Sequence, residues 1–290
     1  MAKIATYVII DLETTGLPKE EYNKTRITEL SLVAVKREHV LATNPGATPR
    51  VQHKLTLCFN PGRMVAPSCT DVTGLCNFLL EYEPKFDMQT FTMLNTFLNV
   101  LEKPVCLVAY NGHRFDFPIL KNHLKKLGVD FSSDLLCADC FIGFFNIIEK
   151  NENKDTSISN ENGTHTFDVN INNTILTDIE PKSMQSINET TPKRQIIKSN
   201  GNPRPNSISK ARKSFPWSKG MNPKRSYKLK NIYEYICKRS AVDAHRAEND
   251  CLFVLECFVA KASEMVQWFD NNYILFSEVK PMTIGVPIEN

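Results

Sequence analysis

"VIIDLETTGL", residues 8–17, sets two carboxylates inside a segment composed like a buried strand. Val8, Ile9 and Ile10 precede Asp11, Leu12 separates it from Glu13, and Thr14-Thr15-Gly16 closes the run. An unpaired carboxylate is expensive to bury, so acids here need a reason. Residues two apart in a strand project to the same side, and Asp11 and Glu13 therefore leave the strand end together. Two charges that close raise each other's pKa unless a cation sits between them. Taken alone the stretch has two readings: solvated acids at a strand end, or oxygen ligands of a hard divalent ion such as Mg²⁺ or Mn²⁺. Gly16 lets the backbone turn tightly beside them.

Around this strand the pattern is α/β. "TELSLVAVKRE" and "QHKLTLCF" alternate with period two and make a three-strand meander with residues 6–12. "PSCTDVTGL" is a short helix or turn, and "FTMLNTFLNVL" has helical apolar spacing. "PVCLVAY" is a continuous apolar run, the mark of an interior strand. "FPILKNHLKKL" is a helix closed by Gly128, and a short strand at 136–140 leads into the helical "FIGFFNIIEK". "SYKLKNIYEYICK" and one long stretch, "AHRAENDCLFVLECFVAKASEMVQWF", complete the helices.

Between them, residues 151–221 are rich in Asn, Ser, Thr, Lys and Pro without apolar period, and are expected to be a low-complexity, disordered insertion. Residues 1–150 and 222–290 then form a single domain. The insertion is charge-segregated. Residues 151–190 carry seven acids against two bases, and residues 191–230 carry twelve bases and no acid, with Phe215, Trp217 and Tyr227 among them. The basic half suits a polyanion, cations on phosphates and aromatics on bases; a solubilising linker or nuclear-import patch is the alternative.

The chain has 290 residues, 42% of them hydrophobic, and a formal net charge of +3, the balance of a globular protein with one sizeable core. Met1-Ala2-Lys3 leads straight into the first strand and no apolar run is long enough to span a bilayer, so neither secretion nor membrane attachment is expected. Nine cysteines scattered through apolar stretches read as reduced core thiols of a cytoplasmic, or also nuclear, protein. "CADC", residues 137–140, has C-x-x-C spacing without a second metal-binding pair; a strand end plus a helix start is the competing reading.

Two further stretches carry acids where the chain changes direction. In "VAYNGHRFDFPIL" the apolar strand ends at Tyr110, Asn111-Gly112 turn, and Asp116 stands before Phe117-Pro118, as a helix cap would or as a ligand would. In "DAHRAENDCLFVL" Asp250 opens an apolar helix and His245 lies five residues before it. D-x-E on a first strand, D after a central strand and H-x-x-x-x-D opening a late helix resemble the DEDDh exonuclease signature, in order and in context. Four carboxylates can hold two divalent ions about 3.5–4 Å apart for in-line attack on a phosphodiester. His245 can take a proton from the attacking water.

The resemblance extends to the three-prime repair exonuclease family through "DLETTGLP", "ITELSLVAV", "KLTLCFNPG", "VTGL", "CLVAYNGHRFDFPIL", "RSYKLKNIY", "DAHRAENDCL" and "MVQWFD". It implies a ribonuclease-H-like fold with a mixed five-stranded sheet flanked by helices. It implies release of deoxynucleoside 5′-monophosphates from DNA 3′ ends, single strands preferred, by a homodimer using two Mg²⁺ or Mn²⁺. By position the metal ligands are Asp11, Glu13, Asp116 and Asp250, with His245 the general base. Substrate contacts fall on Glu13, Thr14, Leu17, Val72, Tyr110, Asn111 and Phe115, besides His245 and Asp250. For Leu17 and Val72 the residues alone suggest core packing instead. Phe115 departs from the family's tyrosine and lacks its hydroxyl. Arg246 and Asn249 replace smaller residues, Arg246 facing either a phosphate or water. An RNA 3′ exonuclease would share all five signature residues. A non-catalytic 3′-end-binding protein would have no reason to keep the charge cluster. By the same resemblance, residues 51–59 are expected at a sheet edge where two copies pair.

Overall fold

A computed structural model describes residues 3–159 and 225–285; residues 160–221 of the expected insertion, with most of its basic half, lie outside them. The meander forms as read: β1 (Thr6–Thr14) pairs antiparallel with β2 (Ile27–Lys36), and β2 with β3 (His53–Cys58). The short helix α1 (Arg37–Ala42) follows β2, and α2 (Pro67–Thr73) and α3 (Met88–Asn99) follow β3. Strand β4 (Val105–Ala109), buried along its whole length, adds parallel to β1. Helix α4 (Asp116–Leu127) returns the chain to β5 (Leu136–Asp139), parallel to β4, and α5 (Cys140–Ser159) leaves it. The helix thus continues nine residues past the expected start of the insertion at 151. Then come α6 (Leu229–Cys237), α7 (Ala247–Ala260), α8 (Ala262–Asn272) and β6 (Ile274–Leu275), which pairs antiparallel with β5.

The sheet order is β3-β2-β1-β4-β5-β6, six strands where five are expected. The sixth has two residues, too few for any period. The long C-terminal helix of the sequence reading is also two helices, divided at Lys261, whose φ of −124° and ψ of 31° break the helical path.

Alternation along β1 sends Val8, Ile10 and Leu12 to one core, with Leu94 and Leu98 of α3 and Leu120 and Leu124 of α4. Tyr7 and Ile9 face the other core, with Phe144 of α5, Phe258 of α7 and Phe269 of α8. Asp11 and Glu13 continue this second row, toward α7. The parallel β1 and β4 end on the same side of the molecule, and the turn leaving β4 is tight. A Cβ on Gly112 would sit 2.5 Å from that of Ala109 and 2.8 Å from the Phe117 ring, so only glycine fits.

Candidate active site

Three segments far apart in sequence bring their acids to the carboxyl end of β1. Asp116 begins α4, and its Oδ1 accepts the Leu12 N–H at 3.1 Å, fixing it between Asp11 and Glu13. Asp250 lies in the first turn of α7, and its Oδ2 accepts the His245 N–H at 3.2 Å. Glu13, His245 and Asp250 each present one possible ligand atom, all within 4.8 Å of one another. His245 itself is exposed and has a φ of 68°, in the left-handed region that His enters more readily than most residues. Its ring therefore stands at the rim of the acids and open to solvent.

The electrostatics of this cluster are lopsided. Burial pushes Asp11 well above the carboxylate range, and the charges of Asp116, Asp250, Glu13 and Glu29 push it further. Glu13 is pushed up to about 9 by burial, then by Asp250, Glu29 and Asp116. Asp116 is raised to about 8, chiefly by burial and against backbone hydrogen bonds that favour its charge. Asp250 is raised to about 6, again by burial, with His245 opposing. Among the described residues no Lys or Arg pairs with any of these four. All the donor atoms are hard carboxylate oxygens with an imidazole beside them, a set that fits a divalent cation of the Mg²⁺ or Mn²⁺ type.

Two acids of this region are not among the sequence candidates. Glu29 stands directly opposite Glu13 in the β1–β2 register, and its Oε2 accepts the Ala247 N–H at 2.9 Å. Helix α7 has no side-chain cap of its own, so a strand residue from 218 positions away supplies one. Asp139 ends β5 and receives the N–H groups of Asn111 (2.9 Å), His113 (3.2 Å) and Phe141 (3.1 Å), which fixes the turn before Asp116. The "CADC" segment is accordingly a strand end plus a helix start. Cys137 and Cys140 are buried in opposite cores, and the Cys140 thiol donates to the Ala109 carbonyl at 3.2 Å.

The remaining candidates divide. Leu17 and Val72 are 52% and 51% exposed, which overturns their reading as core residues. Ala66, the residue before α2, donates to the Thr15 carbonyl at 2.7 Å, so the helix bearing Val72 is tied to the turn after Glu13. Thr14 is buried and its hydroxyl donates to the Gly16 carbonyl. The Asn111 side-chain carbonyl is buried without a hydrogen-bond partner among the described residues. Phe115 packs half-buried against the α3–α4 core. Tyr110, by contrast, packs edge-on to Phe141 and its hydroxyl donates to the Tyr227 carbonyl at 2.6 Å, turned into the core. Arg246 is exposed at the start of α7, and Asn249 donates to the Asp243 carbonyl at 3.0 Å, bracing the loop that carries His245.

A family model described as exonuclease matches residues 8–141, from the first strand to the start of α5. Three-prime repair exonuclease 1 of Bos taurus is 28% identical over 292 aligned positions, covering 97% of this chain and 71% of the relative. Three prime repair exonuclease 2 of Homo sapiens is 41% identical over 143, covering 46% and 58%. The chain is similar to three-prime repair exonucleases along nearly its whole length. A solved structure of an E. coli Exonuclease I–ssDNA complex is similar in fold, with a TM-score of 0.52 at 12% identity over 92% of this chain and 43% of that one. These likenesses make the chain a hydrolase of the ribonuclease-H-like fold, and the exonuclease family that it matches depends on divalent metal. Among the described residues no helix is long and apolar enough to cross a membrane.

Proposed function

We propose that the protein removes nucleoside 5′-monophosphates from the 3′ ends of DNA, single strands preferred, with two Mg²⁺ or Mn²⁺ held by Asp11, Glu13, Asp116 and Asp250. The observation that carries this reading is the convergence of those four carboxylates without a Lys or Arg partner among the described residues. Two bound ions would neutralise the acids, offset the charge of the scissile phosphate and make water a stronger nucleophile. His245, exposed at the rim, accepts the proton of the attacking water. Glu29 holds the N-terminus of α7, and with it the separation of Asp250 and His245 from Glu13. Leu17 and Val72 present apolar surface to the terminal bases, which accounts for their exposure. Phe115 contributes shape without a hydroxyl.

Pairing of two chains through β3 belongs to the same proposal. The strand lies at the sheet edge, and its Lys54 is drawn aside into an ion pair with Glu248 of α7 at 2.8 Å. A dimeric mass by light scattering at micromolar concentration supports it, and a monomeric mass refutes it. For the activity, the test is incubation with 3′-labelled and 5′-labelled single-stranded DNA, matched RNA and duplex DNA, with Mg²⁺ and with chelator. Metal-dependent release of mononucleotides from the DNA 3′ end is expected. Preference for RNA, release from the 5′ end, or undiminished turnover in chelator would overturn the reading.

A further inference from the structure

Arg26, Arg63 and Lys126 come from separate segments and meet at the acid end of the sheet. Arg26 is held on the turn after β1: its N–H donates to Thr15 Oγ1 at 3.1 Å, and its carbonyl accepts the Thr15 N–H at 2.9 Å. Arg63 Nη1 donates to the Lys24 carbonyl at 2.6 Å. Lys126 is in the last turn of α4, and its ammonium is pulled below its ordinary pKa by partial burial and then by the charges of Arg26 and Arg63. Glu21 pairs with Arg63 at 2.9 Å, but no carboxylate among the described residues pairs with Arg26 or Lys126. Three neighbouring cations, only one of them paired with an acid among the described residues, call for an anion.

Large apolar side chains lie exposed alongside. Met64 is 75% exposed, Phe78 81% and Tyr82 91%. The Asn77 side chain joins their segments, donating to the Arg63 carbonyl at 2.8 Å and accepting the Val65 N–H at 2.9 Å. Asn60 donates to the Glu81 carbonyl at 2.7 Å and holds the Tyr82 segment on the same surface. Exposed rings beside cations in excess of acids suit one ligand chemistry above others, a single strand whose phosphates meet the cations while its bases stack.

We propose that this face is a track for the nucleotides upstream of the last three, with Arg26, Arg63 and Lys126 on phosphates and Met64, Phe78 and Tyr82 on bases. Thr15, two residues beyond Glu13, is hydrogen-bonded to both Arg26 and Ala66, which ties this face to the acid end of β1. The track deepens the reading of the protein as a DNA exonuclease and rests on it.

The test compares wild type with Arg26→Ala/Lys126→Ala and with Phe78→Ser/Tyr82→Ser on two substrates, a trinucleotide and an oligo(dT) of about 30 nucleotides. On the long strand KM should rise roughly tenfold with kcat kept, through lost phosphate contacts in one variant and lost base stacking in the other. The cation variant should also flatten the slope of log affinity against log salt by about 1.4, two phosphates at about 0.7 each. On the trinucleotide both constants should match wild type. An unchanged KM on the long strand, or an equal rise on both substrates, overturns the track. So does a change of light-scattering mass in the Phe78→Ser/Tyr82→Ser variant with KM kept, which would make the face a protein interface. If wild type releases nucleotide from neither substrate, the exonuclease reading fails by itself. Anisotropy of fluorescein-labelled oligo(dT) then decides the track, weaker binding by the variants supporting it and equal affinity overturning it.

Discussion

At one end of β1 the Asp270 carboxylate takes two N–H groups of Arg37, at 2.9 and 2.8 Å, and a third from Ile4 at 3.2 Å. At the other end Asp11, Glu13, Asp116 and Asp250 converge, with His245 beside Glu13 and Asp250, Glu29 opposite Glu13, and no Lys or Arg among the described residues to pair with the four. Burial raises the pKa in both places. Around Asp270 it is outweighed by the Arg37 guanidinium and the Ile4 N–H, and the acid is held below its usual value. Around β1's carboxyl end nothing outweighs it, and every one of the four acids is pushed up. Asp139, supplied with backbone N–H groups and with Arg114 close enough to feel its charge, is pushed up to about 6 by burial. Where an acid serves the fold, this protein satisfies it from within. Where it does not, the missing charge must come from outside.

That contrast can be broken most sharply at Asp11. Asp11→Asn should lower turnover by on the order of 1000-fold or more, because it removes a ligand charge from the metal site. In chelator the same variant should be more stable than wild type by on the order of 1–2 kcal/mol, because it relieves repulsion among uncompensated acids. Loss of both activity and stability would place Asp11 with the structural acids. Glu29→Ala should reduce turnover by about 10–100-fold, the range for a residue that orients a ligand-bearing element. Glu29→Gln, which keeps an acceptor for the Ala247 N–H, should recover most of it. Equal defects in the two variants would assign Glu29 a charge role instead of a positioning one. Asp270→Asn should do the reverse of Asp11→Asn, costing about 2 kcal/mol in chemical denaturation while leaving turnover unchanged. The smallest effect is on pH dependence. Raised carboxylate pKa values mean that the folded, metal-free protein holds protons that the unfolded chain releases. Its stability therefore falls as pH rises from about 4, the ordinary carboxylate range, through the folded value of about 9 for Glu13. Mg²⁺ should raise the melting temperature more at pH 8 than at pH 5, and an equal increment at both would count against charge compensation.

The sequence made much of this legible because β1, β4 and α4 state their environment locally. An unbroken apolar run, a glycine where no Cβ fits and a glycine closing a helix can each be read without knowing the neighbours. Glu29 could not be read that way. In "ITELSLVAV" it is one polar residue in an alternating strand, and only the register with Glu13 reveals a fifth acid at the site. Asp139 was hidden for the same reason: its function is to receive N–H groups from a turn some 28 residues earlier. β6, with two residues, and α1, with six, are set by packing and carry no period to read. Leu17 and Val72 looked like core residues because hydrophobicity alone does not say which side of a surface a leucine occupies. Their exposure is a fact of assembly.

The central claim is that the acids at the end of β1 are completed by metal ions. Titration calorimetry of the full chain with Mn²⁺ at pH 7, in two buffers of different ionisation enthalpy, measures ions bound and protons displaced together. Two ions per chain are expected, with protons released because Glu13 and Asp116, at about 9 and about 8, are largely protonated before metal arrives. Asp11→Asn should bind fewer ions. No binding, binding without proton release, or a titration identical in wild type and Asp11→Asn would contradict it.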